Sequence, residues 1–205
     1  MKKIPTLFDR LYCGHKIVGI TDSVHEGMDW VLNGEGVATV KIDGSCCAII
    51  NGVLYKRYDA KKGKKPPIGA IPCQPEPDAI TGHWPHWIKV DYNNPSDKWF
   101  RLAFIYTMDD CYVAGRHEGL IDGTYEAIGP HFQGNPYNLP EDRLVKHGTE
   151  IVYVERSFSG IKQYLENHEI EGLVFWKDGK PQCKIKRSDF GFEWPVKKGG
   201  ENEQQ

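Results

Sequence analysis

No stretch of this 205-residue chain approaches the roughly 20 consecutive apolar residues that a membrane-spanning helix needs. The opening residues, Met1 to Arg10, also lack the apolar run of a secretory signal. Hydrophobic residues make up 40% of the chain and mean hydropathy is −0.53, so the expectation is a soluble, cytoplasmic protein with a real core and no membrane partner. No Cys-x-x-Cys pair occurs among Cys13, Cys46, Cys47, Cys73, Cys111 and Cys183, which speaks against a zinc ribbon. Cys46 and Cys47, adjacent on a predicted strand, face opposite sides and read as reduced thiols packed as small hydrophobes. Excess positive charge is missing too. The net charge is −2, which excludes a global electrostatic grip on nucleic acid and leaves only local patches. One such patch gathers Lys56, Arg57, Lys61, Lys62, Lys64 and Lys65, which alone fits a solvated loop as well as a backbone contact.

The elements read as follows. Ser23 and Glu26 form a capping box ahead of Val24, Met28 and Val31, and Gly34 supplies a stop, which predicts a helix over 23–33. Apolar stretches at 37–42 and 46–50 predict strands, and Asn51-Gly52 turns the second into 53–55 as a hairpin. Residues 59–97, rich in lysine, proline and glycine, predict a long irregular insertion. Further strands are expected at 99–107, 123–128 and 150–155, with turns over 129–140. Ser159 caps a short helix carrying Ile161 and Leu165, and Asp178-Gly179 joins strands at 172–177 and 182–187. The sum is an α+β fold with mainly antiparallel sheets, one domain over 1–196 and a polar, disordered tail over 197–205.

Four places could carry chemistry. Lys41-Ile42-Asp43-Gly44 puts Lys41 and Asp43 on one face of a strand and Val40 and Ile42 on the other, and Gly44 allows a tight turn or a close approach. Alone, the motif is equally an ion pair at a strand end. Lys184 and Lys186 share a face on which two ammonium groups repel unless an anion such as phosphate lies between them; an exposed edge strand would also carry lysines. Glu126 and Glu171 each stand beside an apolar strand. His83 and His86 suggest a metal pair, although no cysteine accompanies them.

Taken in order, Lys-x-Asp-Gly, the acid within Tyr125-Glu126-Ala127-Ile128-Gly129, Glu171-Gly172 and Lys184-Ile185-Lys186 resemble the motif series of the covalent nucleotidyltransferases, the polynucleotide ligases and messenger-RNA capping enzymes. The likeness spans roughly residues 36–195. Lys41 to Cys47, Gly134-Asn135-Pro136-Tyr137, His147-Gly148, Ile170-Glu171-Gly172 and Gly191 to Pro195 look like the vertebrate-type 5′-3′ RNA ligase family. The resemblance implies an ATP-grasp-like ligase domain without an OB-fold, since DNA ligases and capping enzymes carry an OB-fold where this sequence has only a short polar end. It implies ATP and Mg²⁺ or Mn²⁺ as cofactors and RNA with 5′-phosphate and 3′-hydroxyl ends as partner, with no obligate protein partner. Lys41 would take AMP, with Asp43 and Gly44 completing its motif. Arg57 would approach the ribose or the 5′-phosphate, and Glu126 the ribose hydroxyls. Glu171 would position the metal, Lys184 and Lys186 would grip the α-phosphate, and Tyr153 is the candidate to stack on adenine. Lys61, Lys62, Lys64 and Lys65 would follow the RNA backbone. Cations around Lys41 would favour its neutral, nucleophilic form. Two rivals stand beside this reading: an AMP-transferase acting on a substrate other than nucleic acid, and a non-catalytic RNA-binding module.

Overall fold

The computed structural model describes residues 1–14, 16–61, 63–79, 81–114 and 120–196. In chain order these form β1 (Phe8–Cys13), β2 (Lys16–Val24), the four-residue helix α1 (Asp29–Leu32), β3 (Val37–Lys41), β4 (Ser45–Ile50), β5 (Val53–Ala60), β6 (Ile71–Pro72) and β7 (Trp84–Lys89). Then follow α2 (Lys98–Val113), β8 (Gly123–Ile128), β9 (Arg143–Lys146), β10 (Ile151–Val152), α3 (Phe158–Asn167), β11 (Gly172–Lys177) and β12 (Lys180–Lys186). Helical 3-10 turns lie at Pro95–Asp97 and Arg187–Phe190. The fold is α+β, and every pairing between these strands is antiparallel. No helix among the described residues is long and apolar enough to cross a membrane. The chain has two compact units, residues 1–3 with 43–147 and residues 4–42 with those from 148 onward. The tail expected to be disordered, 197–205, lies outside the described residues.

The first unit is a six-stranded sheet in the order β6-β7-β5-β4-β8-β9. Alternation along β4 and β8 sends Cys47, Ile49, Tyr125 and Ala127 into a core shared with Leu54, Val90, Ala103, Phe132 and Leu144. Helix α2 is the main departure from expectation, because residues 99–107 read as a strand. Their aromatic content favours β structure, yet Trp99, Phe100, Ala103 and Phe104 recur at helical spacing and pack on that core. Asn94 accepts from the Ser96 N–H at 3.0 Å, and Pro95 opens the turn that leads into the helix. Residues 59–97 are also more ordered than expected. The whole of β7 pairs with β5 from Tyr55↔Lys89 to Ala60↔Trp84, burying His86 and Trp87. Strand β9 falls in a stretch the sequence did not mark.

The second unit is a four-stranded sheet, β10-β3-β11-β12, with the β1–β2 hairpin. One face of that sheet carries Ala38, Leu173, Phe175, Cys183 and Ile185, which pack with Leu7, Phe8, Val31, Ile161 and Leu165. The helix expected over 23–33 shrinks to Asp29–Leu32. Ser23 and Val24 belong to β2, where Val24 pairs with Phe8, and Gly27 at φ 77° separates strand from helix. The cap of α3 is Ser157, not Ser159; its hydroxyl accepts from the Gly160 N–H at 2.9 Å. Both marked hairpins form, with left-handed φ at Asn51, Gly52, Asp178 and Gly179. Of the strand expected over 150–155, only Ile151 and Val152 pair.

Candidate functional site

In the second unit, register gathers the predicted cations. Gly172 of β11 pairs with Lys41 on one side and with Lys186 on the other, so both lysines project from the same sheet face. Val174 pairs with Thr39 and Lys184, which places Lys184 on that face as well. Gly172 is needed for this approach: a Cβ there would lie 2.1 Å from the Ile185 carbonyl oxygen. Glu171, 3% exposed, accepts from Lys41 Nζ on Oε2 and from Lys186 Nζ on Oε1, each at 2.5 Å. The carboxylate thus pairs with two of the three lysines, Lys41 and Lys186, and the repulsion expected between Lys184 and Lys186 is not relieved by an ion pair at Lys184. Lys184 is not so favoured. Burial first, and then Lys41, Lys186 and Arg10, lower its pKa to about 8, against the opposing pull of Glu171. Arg10, which sequence reasoning missed, is fixed by Asp189 at 2.9 Å; a lone arginine on an unmarked strand gives no linear signal.

In the first unit, Glu126 pairs with Cys46 across β8 and β4. Glu126 Oε2 lies 2.8 Å from His147 Nε2, and His147 Nδ1 lies 3.0 Å from the Thr124 hydroxyl. Donor atoms of Cys46, Glu126 and His147 all lie within 4.8 Å of one another. Burial, with Glu126 beside it, raises the Cys46 thiol to about 12, so a bare thiolate is disfavoured. Sequence reasoning treated Cys46 as a small hydrophobe and gave His147 no role; their positions in the chain hold no metal-ligand spacing that would have paired them. Gly44 serves a close backbone approach, since a Cβ would sit 2.2 Å from the Ala127 carbonyl oxygen. Strand β3 ends at Lys41, so Asp43 lies beyond the strand on which the shared face was expected. Asp43 instead donates its backbone N–H to the Tyr137 hydroxyl at 2.6 Å. Tyr137 is presented by a turn in which the Asn135 side chain accepts from the Leu139 N–H and donates to the Leu139 carbonyl.

Arg57 donates to Asp59 at 3.1 Å. Its neighbour Lys56 points to the other sheet face and is bound by the buried Asp97, so it leaves the basic patch. Lys61, Lys64 and Lys65 are exposed, and Lys62 lies outside the described residues. Tyr153 is 94% exposed, just past β10. Because Ile151 and Val152 pair with Thr39 and Ala38, Tyr153 falls level with Val37, about 13 Å along β3 from Lys41. Trp176, which pairs with Val37, also lies on the lysine-bearing face, where its indole N–H donates to the Thr39 hydroxyl at 2.9 Å. His86 is buried with Nδ1 2.8 Å from the Trp84 carbonyl, and His83 joins no group of three metal-binding side chains among the described residues.

No protein-family model matches the chain. Among curated proteins it is similar to RNA ligase 1 of Danio rerio, 27% identical over 78% of this chain and 68% of that protein. It is likewise similar to RNA ligase 1 of Pongo abelii, 23% identical over 88% of this chain and 75% of that protein. RNA ligase 1 of Rattus norvegicus is 25% identical over 78% of this chain and 69% of that protein.

Proposed function

We propose that this chain is an ATP-dependent RNA ligase of the covalent nucleotidyltransferase type, acting through Lys41. The observation that carries the reading is the cluster of Lys41, Lys184 and Lys186 around Glu171 on one sheet face; the similarity to proteins named RNA ligase 1 supplies the substrate class. Lys41 must lose a proton to attack, and Glu171 Oε2 is the acceptor in reach. The Lys41 amine then forms a bond to the α-phosphorus of ATP as the bond to pyrophosphate breaks. Lys184 and Lys186 meet the negative charge that develops on the phosphoryl oxygens. AMP passes from Lys41 to an RNA 5′-phosphate oxygen. A 3′-hydroxyl then attacks that 5′-phosphate, and AMP leaves as the phosphodiester forms.

Mg²⁺ fits this arrangement, because such ions are held by one or two carboxylates together with substrate phosphates, and Glu171 is a carboxylate among phosphate-binding cations. Glu171 would hold it, and the ion, when bound, supplies further neutralisation of the phosphate charge.

The test is a joining reaction on two RNA strands, one with a 5′-phosphate and one with a 3′-hydroxyl, with and without ATP. An ATP-dependent joined product is expected. Supplied with pre-adenylated RNA and no ATP, the Lys41→Ala variant should still seal. AMP transfer to a small molecule or protein, without any joined RNA, would overturn the ligase reading.

A further inference from the structure

We propose that Cys46, Glu126 and His147 form a binding site for one thiophilic divalent cation of the Zn²⁺ class. The three side chains come from adjacent positions in one sheet: Cys46 from β4, Glu126 opposite it on β8, and His147 directly after β9. Sulfur, imidazole nitrogen and carboxylate oxygen are the ligand types that Zn²⁺ accepts. On a tetrahedral ion, neighbouring ligand atoms stand about 3.3–3.7 Å apart. The donors here lie within 4.8 Å of one another, so side-chain adjustments of about 1 Å close the set, with no strand displaced. Three protein ligands leave a fourth position for water or another small ligand.

The surroundings favour such an ion. His147 Nδ1 lies 3.0 Å from the Thr124 hydroxyl, and the His147 N–H donates to the Thr124 carbonyl at 3.0 Å, so ring and backbone are both anchored. The Thr124 hydroxyl can accept from a protonated Nδ1. The imidazole proton can then sit there, leaving the Nε2 lone pair for metal. In the metal-free protein a proton must lie between Nε2 and Glu126 Oε2 at 2.8 Å; the ion would take that place. Burial and Glu126 disfavour a bare thiolate at Cys46, but a divalent ion reverses that balance, since a coordinated thiol gives up its proton outright. Binding therefore releases the Cys46 thiol proton to solvent, while the proton on Nε2 moves to Nδ1 or is lost. The burial of Glu126, its hydrogen bond to His147 and the anchoring of His147 by Thr124 distinguish this cluster from a surface group of acids.

The site gives Glu126 a ligand role in place of the ribose contact that the resemblance implies for it; it does not rest on the Lys41 cluster, and its test reads binding, not activity. Metal-free protein of residues 1–205 is titrated with Co²⁺. One equivalent should produce a thiolate-to-cobalt charge-transfer band, which Zn²⁺ then bleaches. Cys46→Ser should remove the band, and His147→Gln should weaken Co²⁺ binding by at least tenfold. A triple variant, Cys13→Ser with Cys73→Ser and Cys111→Ser, should keep the band. X-ray absorption at the zinc edge of the wild type, which needs no variant to fold, should show one sulfur with the remaining ligands nitrogen or oxygen. A zinc shell without sulfur, no thiolate band at one equivalent, or an equal band in folded Cys46→Ser would overturn the site.

Discussion

Glu171 has both carboxylate oxygens occupied, one by Lys41 and one by Lys186, while Lys184 stands nearby with no ion pair or hydrogen bond of its side chain to the described residues. That difference makes Lys184 the costly member of the cluster. Its pKa of about 8 in the folded protein lies below the 10.5 of a free lysine. Below pH 8 it is charged in both states, so the cost of its burial is fully present. Between 8 and 10.5 the unfolded chain binds more protons, and stability rises with pH. Above 10.5 both states are neutral and the cost is gone. Lys184→Met, close in volume, should therefore be more stable than wild type at pH 7 by about 1–2 kcal/mol, allowing for solvent and relaxation. The gap should narrow from pH 8 and vanish near 10.5, as read from urea midpoints across pH. A gap independent of pH would mean the charge is not the cause.

At the scale of elements, Asp97 ties the entrance of α2 to the six-stranded sheet. Its carboxylate, 1% exposed, binds the Lys56 ammonium from β5 and accepts the Asp91 N–H at 2.9 Å. Asp97→Ala removes both partners and leaves Lys56 half-buried without its counter-ion, so a loss of about 3–5 kcal/mol is expected in urea unfolding; a loss under 1 kcal/mol would show the pair to be well hydrated. Legibility in the sequence follows locality. Asn51-Gly52 and Asp178-Gly179 were readable because the turn is made by the two residues themselves. Helix α2 was not, because its aromatic residues favour strands locally and only a core assembled from β4, β8 and β9 selects the helix. Residues 23–24 misled for the same reason, since a capping pattern yields to a strand partner at Phe8. The lysine cluster was readable by motif, whereas the Cys46–Glu126–His147 group depends on cross-strand register that no spacing encodes.

The molecule as a whole is near neutral, at −2, so any grip on a polyanion rests on local charge. Lys61, Lys64 and Lys65 are exposed and are the described remainder of the basic patch once Lys56 is bound by Asp97 and Arg57 by Asp59. Replacing these three by serine should weaken RNA binding and reduce the slope of log K against log salt by about 2, at roughly 0.7 per phosphate contact on a single strand. An unchanged slope would show these lysines to be merely solvated. The claim from which the proposed chemistry starts is that Lys41 becomes covalently adenylated, and intact-mass measurement after incubation with ATP and Mg²⁺ tests it most directly. The wild type should gain the mass of one AMP. Lys41→Arg, whose guanidinium stays protonated, should gain none. An adduct of the same mass on Lys41→Arg, or none on the wild type, would contradict it.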